Sequence, residues 1–329
     1  MAEIPPDPNE NPTEKNIPKN KQGSKIIYRY VISFSYLHLA ALYGLYLCLT
    51  SVKWPTIGFG LLMYHITIIG ITAGAHRLWS HRSYKAKFPL QVILIVLNSM
   101  AFQNTTLTWA RDHRVHHKCS DTNGDPHNAN RGFFFSHMGW LMTKKSDEVI
   151  IQGKSMDMSD LYNNPVLRFQ RKYALPVIGT LCFILPTFIP MYFWGETLNN
   201  AWHMNILRYV TVLHVTCCIN SVAHKWGYKP YDKNILPSQN VLLSTFALGE
   251  GFHNYHHVFP SDYQASEFGN KKLNLTTWFI DFFAKIGWAY DMKTASEEVV
   301  RNRAERTGDG TDLWGARDNN NYKILEKVE

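Results

Sequence analysis

The sequence contains few cysteines, and their spacing indicates neither a disulfide scaffold nor a thiolate metal site. No pair is spaced as CxxC, and the five cysteines are Cys48, Cys119, Cys182, Cys217 and Cys218. The first 25 residues also lack the apolar core of a cleavable signal peptide. They carry five prolines and many charged residues. We therefore expect residues 1–25 to form a disordered cytosolic tail.

Acidic residues are in the minority, with 26 Asp and Glu against 34 Lys and Arg and a formal net charge of +8. Such an excess of positive charge favours an anionic partner. The charge alone leaves this partner open among nucleic acid, an acidic membrane surface and an anionic substrate. The mean hydropathy of −0.23 indicates that the chain also has a substantial aqueous portion.

Charged residues are missing from several runs that are long enough to cross a bilayer, which takes about 20 apolar residues in a helix. Three runs contain no charged residue, and a fourth contains only Arg208. We expect transmembrane helices at residues 31–51, 55–75, 174–194 and 203–223. Basic residues precede the first run and follow the second and the fourth. The bias in Lys and Arg predicts that both termini are cytosolic.

Residues 88–110 form a fifth uncharged run of sufficient length. If this run crossed the bilayer, His76 and His81 would lie on the opposite side from the next histidine cluster, which begins at His113. One metal site could not then collect both clusters. We therefore predict that 88–110 is a helix lying in or dipping into the membrane interface.

Eight of the fifteen histidines fall into three tight clusters, and the HxxHH spacing occurs twice. The clusters are His76 and His81; His113, His116 and His117; and His253, His256 and His257. Positions i, i+3 and i+4 share one face of an α-helix, and converging imidazoles suit iron, copper, zinc or nickel. Five residues turn an α-helix by about 140° beyond a full turn, so His76 and His81 cannot share one narrow helix face. Either the two rings flank a pair of metals, or His81 lies just past the end of the helix.

His224 sits where the fourth run ends and is a candidate ninth ligand, and Asn220, one turn earlier, could hold a metal-bound water. Nine imidazoles exceed the needs of one metal, and two metals with four or five ligands each would keep open positions, as catalytic sites do. Iron is favoured by context, because a zinc hydrolase would not need four membrane spans. We assign no metal to the isolated histidines, which are His38, His65, His127, His137, His203 and His214.

Carboxylates near the clusters are candidates for orienting the metal-binding rings through their second nitrogen. These candidates are Asp112, Asp121, Asp125 and Glu250. The alternative for each is a solvated loop carboxylate.

Four segments resemble the animal acyl-CoA desaturases, the family of stearoyl-CoA desaturase. They are GITAGAHRLWSHRSYKA, WARDHRVHHK, NSVAHKWGYKPYDKNI and GEGFHNYHHVFP, and the resemblance covers roughly 26–310. The segments HLAALYGLYLCLTSVKW and MSDLYNNPVL are most similar to the moth enzymes that make sex-pheromone precursors. The resemblance implies an all-α membrane fold with four spans and a cytosolic helical cap that carries the metal site. We expect the membrane domain at 26–293, and the charged composition of 294–329 predicts a tail.

The resemblance also implies the chemistry. Family members bind two irons with nine histidines, which match the eight cluster residues and His224, and Asn220 matches a position that binds iron through water. They use O2 and take electrons from NADH through cytochrome b5 reductase and cytochrome b5. They insert a double bond into a fatty acyl-CoA at the endoplasmic reticulum membrane, and nucleic acid is not a partner. The double bond is expected at delta-11 or delta-9.

Further positions match the family's substrate contacts. Gln103, Trp109 and Thr216 match residues at the bend of the acyl tunnel. The positions that match contacts to CoA are Asn104, Arg111, Asp112, Arg171 and Lys172. Ordinary core packing is the alternative for Trp109 and Thr216. Tyr30 and Cys217 depart from the mammalian pattern, which has asparagine and tryptophan there.

Tyr64 and Ile68 match positions that close the far end of the tunnel. Mammalian members that accept eighteen carbons have alanine where Ile68 stands. A branched side chain there predicts a shorter substrate, of fourteen or sixteen carbons. The alternative is that Ile68 faces lipid.

Two other functions remain to be separated from desaturation. A related di-iron hydroxylase, or an acetylene- or diene-forming enzyme, would share the histidine clusters. A histidine-rich metal transporter would instead place its ligands near the middle of its spans.

Overall fold

The computed structural model describes residues 25–266 and 273–311, and most of them are helical, as predicted. The expected tail at 1–25 lies outside the described residues except for Lys25. The amide of Lys144 donates to the carbonyl of Lys25, so the described chain begins against a loop of the domain.

Two long apolar helices open the fold. Helix α1 spans Tyr28–Thr50 and α2 spans Trp54–Ile69. A π-helical segment at Gly70–Ser80 continues α2, and together they form one apolar helix of 27 residues. Pro55 lies in the first turn of α2, where the missing amide hydrogen costs no helical bond.

Two further long helices run side by side with this pair. Helix α9 (Ala174–Gly179) continues through a π-helical segment, Thr180–Ile184, into α10, Leu185–Trp194. Helix α11 spans Leu198–Ser221. Of the described helices, three are long and apolar enough to cross a membrane: Tyr28–Thr50, Trp54–Ser80 and Ala174–Trp194. Helix α11 falls outside that group.

Helix α11 is the central helix of the bundle and packs against α1, α2 and α10. At Gly44 of α1, a Cβ atom would lie 2.4 Å from the carbonyl oxygen of His203. Glycine is therefore required for α1 to approach α11 this closely. The guanidinium of Arg208 is buried in α11 and donates to the carbonyls of Met100 and Cys182. These bonds satisfy a charge within an apolar bundle.

The expectation of one helix across 88–110 is wrong. Helix α3 spans Phe88–Ser99 and α4 spans Thr106–Cys119. The chain turns between them, where Phe102 and Asn104 adopt positive φ angles of 47° and 68°. The 12 residues of α3 rise about 18 Å, which is too short to cross a bilayer.

Shorter elements form a cap at one end of the bundle. The helices between α4 and α9 are α5 (Phe133–His137), α6 (Asp147–Ser155), α7 (Ser159–Tyr162) and α8 (Pro165–Lys172), with 3-10 turns at Ala129–Arg131 and Gly139–Met142. The later ones are α12 (Val241–Phe246), α13 (His253–Val258), α14 (Leu275–Lys285) and α15 (Glu297–Thr307). A two-stranded antiparallel ribbon pairs β1 (Lys85–Ala86) with β2 (Ala289–Tyr290).

The charged segment 294–329 is not entirely a tail. Helix α15 forms within it, and Ser296 caps this helix by accepting a hydrogen bond from the amide of Val299. Val300 is buried in a cluster with Tyr231 and Tyr255. The apolar contact fixes the helix to the cap. Residues 312–329 lie outside the described part of the chain.

Candidate metal centre

The nine predicted metal-binding histidines come from four separate parts of the chain and meet at the junction of the bundle and the cap. The π-helical segment carries His76, and His81 follows its last residue. Helices α4 and α13 each carry three of the rings. His224 lies just beyond the end of α11.

The rings form two adjacent groups, in each of which one nitrogen per ring lies within 4.8 Å of the others. The five-histidine group contains His76, His81, His113, His117 and His256. The four-histidine group contains His116, His224, His253 and His257. The two groups are in contact, because the centroids of the His117 and His257 rings lie 4.3 Å apart.

Two helices serve both groups. Helix α4 directs His113 and His117 into the five-histidine group and His116 into the other. Helix α13 directs His256 into the five-histidine group and His253 into the other. The HxxHH spacing therefore places rings on neighbouring parts of one face that border two centres.

His76 and His81 belong to the same group, and His81 lies directly after the helix end, which is one of the two predicted arrangements. The π conformation joins residue i to residue i+5, and the amide of His81 donates to the carbonyl of His76 at 3.1 Å. Five residues thus bring the chain back to the same side. The angular spacing of an α-helix does not apply to this segment, because the helix type changes at Gly70.

Three carboxylates fix rings through Nδ1, as predicted from their positions. Glu250 Oε2 lies 2.9 Å from Nδ1 of His76, and Asp125 Oδ2 lies 2.9 Å from Nδ1 of His116. Asp121 Oδ2 lies 3.0 Å from Nδ1 of His224. Asp112 does not act in this way.

Asp112 is instead bound by two basic side chains. Arg111 donates to its Oδ1 at 3.0 Å, and Lys145 donates to its Oδ2. The expectation that Asp112 orients a metal-binding ring is therefore wrong.

The donor set fits metal cations. A ring that donates from Nδ1 to a carboxylate has a lone pair at Nε2, and these Nε2 atoms point at other imidazole nitrogens. Nε2 of His76 lies 3.0 Å from that of His256, and Nε2 of His224 lies 3.0 Å from that of His253. Nδ1 of His256 is buried without a hydrogen-bond partner. Convergent nitrogen lone pairs of this kind suit a transition metal.

Burial favours the neutral form of at least six of the nine rings. It is the largest cause that lowers the pKa values of His81, His113 and His117 well below their ordinary value. The same holds for His253, His256 and His257. Neutral imidazole is the form that binds a metal, so the centre is preorganised at neutral pH.

The carboxylates are ionised despite their burial. Burial would raise the pKa of Glu250, but Arg77 and His76 outweigh it and lower that pKa to about 2. Burial likewise opposes ionisation of Asp125, yet His116 and His127 hold its pKa far below the ordinary value. The centre is therefore bordered by fixed negative charge.

Two residues of the centre were missed by the sequence reasoning. Arg77 is buried and donates to Glu250 Oε1, and also to the carbonyl of Tyr263 and to Thr277. The signal for it was its place directly after His76. His127 was assigned no role, but its ring centroid lies 4.3 Å from that of His116, and its amide donates to Asp125. Burial lowers the pKa of His127 to about 3.

Three residues matched to the tunnel bend form a hydrogen-bonded chain. The Gln103 amide donates to Thr216 Oγ1 at 3.0 Å, and Trp109 Nε1 donates to Gln103 Oε1 at 3.4 Å. The Trp109 ring also stacks on His113, with centroids 5.0 Å apart. Trp109 therefore links this chain to the five-histidine group.

Ile68 faces the protein interior, since only 3% of it is exposed. It packs in a cluster with Val212 and Leu248, against which Tyr64 also lies. The Tyr64 hydroxyl donates to the carbonyl of Phe246 at 2.8 Å. The lipid-facing alternative for Ile68 is thus wrong.

The residues matched to CoA contacts lie at the surface or near it. Asn104 is exposed in the turn before α4, and Arg111 and Asp112 are half-buried on α4. Arg171 and Lys172 are exposed at the end of α8, which packs against α4. Their cations lie over the rings of Tyr162 and Tyr173.

Comparison with known proteins identifies the class. Residues 52–265 match the family described as fatty acid desaturase, and this chain belongs to that family. It is 62% identical over 293 residues to an acyl-CoA Delta(11) desaturase of Trichoplusia ni, covering 88% of this chain and 84% of the relative.

Two further relatives differ in their named activities. An (11Z)-hexadec-11-enoyl-CoA conjugase of Bombyx mori is 62% identical over 287 residues, covering 87% of each chain. An acyl-CoA Delta-9 desaturase of Acheta domesticus is 54% identical over 307 residues, covering 93% of this chain and 86% of the relative. The predicted family is confirmed, and so is the prediction that the protein is an oxidoreductase.

Proposed function

We propose that the chain is an acyl-CoA desaturase that binds two iron ions, one in each histidine group. The observation that carries the proposal is the convergence of nine imidazole nitrogens in two adjacent groups. Neutral nitrogen donors suit iron, and the carboxylates at His76, His116 and His224 fix the rings. Asn220, half-buried in the last turn of α11, would hold a water on the four-histidine side.

The reaction removes two hydrogens from adjacent methylenes of a saturated acyl chain. Together with O2, two electrons and two protons, the saturated chain gives one carbon–carbon double bond and two waters. Bound iron supplies the oxidising chemistry, since an unactivated methylene offers neither an acidic proton nor an electrophilic carbon. Cytochrome b5, reduced by its NADH-dependent reductase, would supply the electrons.

The protein's own residues would position the acyl chain. The bonds among Gln103, Trp109 and Thr216 fix the shape of the path beside the five-histidine group. Tyr64 and Ile68 would close its far end. Each buried methylene contributes about 0.8 kcal/mol, so a closed end selects chain length. Substrates of fourteen or sixteen carbons would fit best.

The basic surface of the cap would bind the CoA head. Arg171 and Lys172 are exposed and suit phosphate groups. Asn104, Arg111 and Asp112 would complete the contacts at the start of α4. The anionic partner indicated by the charge of +8 would then be the acyl-CoA together with membrane lipid.

Helix α11 would be a fourth span beside the three apolar helices. Its 24 residues are long enough to cross, and Arg208 is satisfied within the bundle. Four spans would leave both termini on the cytosolic face of the endoplasmic reticulum. The domain would reach from residue 26 to at least the end of α15.

A metal transporter is disfavoured because the histidine groups lie at span ends and in the cap. Diene formation is the second candidate, because one close relative is named a conjugase. Desaturation is favoured by the relatives named desaturases. The product would be an unsaturated fatty acyl-CoA, which would also serve as a sex-pheromone precursor.

Expression in a desaturase-deficient yeast tests the proposal. Cells are supplied with saturated acids of fourteen, sixteen and eighteen carbons, and double bonds are located by mass spectrometry. We expect a delta-11 or delta-9 monoene and two irons per purified chain. In parallel cultures supplied with a monoenoic acid, a diene formed without any monoene from the saturated acids would favour the conjugase. Absence of iron together with absence of new unsaturation would overturn the proposal.

A further inference from the structure

The two histidine groups differ in the charge that surrounds them. We propose that this difference makes them unequal iron sites, with Asp121 and Asp125 favouring Fe3+ in the four-histidine group. The inference rests on the proposed function, because it assumes that iron occupies both groups.

Positive and negative charges balance around the five-histidine group. Its one carboxylate contact, Glu250 at His76, is met by Arg77, whose guanidinium donates to Oε1 at 3.0 and 2.9 Å. Arg114 also lies nearby and donates to the carbonyls of Trp79 and Ser80. Its charge is shared with Asp160, at 2.7 Å. No net negative charge therefore borders this group among the described residues.

The four-histidine group is bordered by two carboxylates. Asp125 binds Nδ1 of His116 and Asp121 binds Nδ1 of His224. Their other contacts are neutral: the amide of Asp121 donates to Asp125, and the amide of Ala129 donates to Asp121. No lysine or arginine in the described ranges forms an ion pair with either.

One further ring faces this pair of carboxylates. Nδ1 of His127 lies 3.5 Å from Asp125 Oδ1 and is buried without a hydrogen bond. Two further charged groups on α4 have partners elsewhere: Asp112 is bound by Arg111 and Lys145, and Lys118 donates to Ser155 Oγ at 3.2 Å. None of these contacts offsets the charge of Asp121 and Asp125.

Ligand basicity acts in the same direction. A carboxylate that accepts from Nδ1 makes the ring a stronger donor at Nε2. Two of the four rings have such a partner in one group, against one of five in the other. Stronger donors and nearby negative charge both favour the ion of higher charge. The iron of the four-histidine group should therefore lose an electron at the lower potential.

Redox titration of the 57Fe-loaded, detergent-purified enzyme, followed by Mössbauer spectroscopy, tests this assignment. We expect two midpoint potentials that differ by at least about 59 mV. At one applied potential, this is a tenfold difference between the two sites in the Fe3+/Fe2+ ratio. Asp125→Asn keeps a carbonyl oxygen for His116 and removes the charge. It should raise the lower midpoint potential enough to change the Fe3+/Fe2+ ratio of that site at least tenfold, and it should shift the higher potential less.

Glu250→Gln is the reciprocal variant, because it leaves the charge of Arg77 unbalanced beside the five-histidine group. It should raise the higher couple instead. Glu196→Gln is the matched control, since Glu196 is another buried carboxylate that accepts hydrogen bonds from Thr56 and the amide of Lys53. It lies between α10 and α11, away from the rings, and should move neither couple.

The outcomes separate this inference from the proposed function. A chain that binds no iron would overturn both. Two irons that share one midpoint, or Asp125→Asn and Glu250→Gln variants that move the same couple, would overturn only the inequality. If Asp125→Asn retains a single iron, a remaining couple at the higher wild-type value supports the assignment, and one at the lower value contradicts it. Asp121→Asn repeats the test on the second carboxylate.

Discussion

The indole ring of Trp109 stacks on the imidazole of His113, with 5.0 Å between centroids and 23° between planes. The same indole donates to Gln103. One side chain thus contacts a proposed metal ligand with its face and a proposed tunnel residue with its nitrogen. The reacting carbons of a substrate would be positioned relative to the metal partly through this ring.

Trp109→Phe separates these two contacts, because phenylalanine keeps an aromatic face and lacks the donor. A lost hydrogen bond is worth about 1 kcal/mol, or about a fivefold change in the ratio of two products. We expect the iron content to stay constant while the minor double-bond position rises about fivefold, measured by mass spectrometry of the cellular lipids.

The control for this variant is Trp194→Phe, which removes a hydrogen bond from Nε1 to Thr56 Oγ1 of 2.7 Å at the far end of the bundle. It should leave the product ratio unchanged. An unaltered ratio in Trp109→Phe would refute a role of Trp109 in registering the substrate.

Ile68→Ala should lengthen the preferred substrate. The change removes three carbon atoms from a position that is 97% buried, given an exposure of 3%, and opens space beside Leu248. We expect the ratio of C18 to C14 turnover in microsomes to rise about tenfold, because about two methylenes at 0.8 kcal/mol each would become accommodated. The protein should also lose about 2–5 kcal/mol of stability.

Leu61→Ala on the same helix is the matched control, since 60% of Leu61 is exposed on the bundle surface. Its chain-length profile should equal that of the wild type. Equal turnover of C14 and C18 by the unmodified enzyme would contradict the premise that Ile68 shortens the tunnel.

His113→Ala and His256→Ala each remove a ring from the five-histidine group. We expect the loss of at least one iron per chain and a drop of more than a hundredfold in unsaturated product, since fewer nitrogens remain to bind the ion. Metal analysis and lipid analysis of the same preparations measure both effects.

His65→Ala is the corresponding control, because His65 is exposed and bonds within its own helix to the carbonyl of Leu61. It should keep wild-type iron and product. Full iron content in His113→Ala would show that this ring is not a ligand.

Asp160 should contribute to stability in a defined range of pH. Burial opposes its ionisation, but hydrogen bonds from Arg114 and Arg82 lower its pKa from 3.8 to about 2. A carboxyl group with a lowered pKa in the folded state stabilises the protein above pH 3.8 and loses that effect as the pH falls towards 2. Thermal unfolding of Asp160→Asn in detergent should therefore show a weaker dependence on pH over this interval.

Glu305→Gln on α15 removes an exposed carboxylate and controls for destabilisation by acid that does not depend on Asp160. Its unfolding temperature should follow the wild-type curve. Parallel curves for Asp160→Asn and the wild type would mean that the bonds to Arg114 and Arg82 do not stabilise the fold.

The apolar runs predicted the long helices because composition and length determine them directly. The cap was less predictable. Its break between α3 and α4 depends on positive φ angles at Phe102 and Asn104; asparagine often adopts such an angle, but phenylalanine does not. The helix α15 depends on burial of Val300 against distant aromatic residues, and a charged local sequence does not show this contact.

The histidine clusters and a pair of metals with four or five ligands each could be predicted from spacing and number, but the assignment of each ring to one of the two groups could not. Spacing on an ideal α-helix does not reveal the π-helical segment that returns His81 to the side of His76. The partner of Arg77 was also hidden, since Glu250 is 173 residues away. Such pairs form through tertiary packing, which a single sequence does not encode in a readable pattern.

The π-helical segment has a practical consequence for protein engineering. It extends one of the apolar helices into the centre, so the ring of His76 belongs to the same continuous helix that begins at Trp54. His224 likewise follows the last turn of α11. A water-soluble catalyst cannot be obtained by deleting the hydrophobic helices and keeping the cap, because the excision would remove or detach rings from both groups.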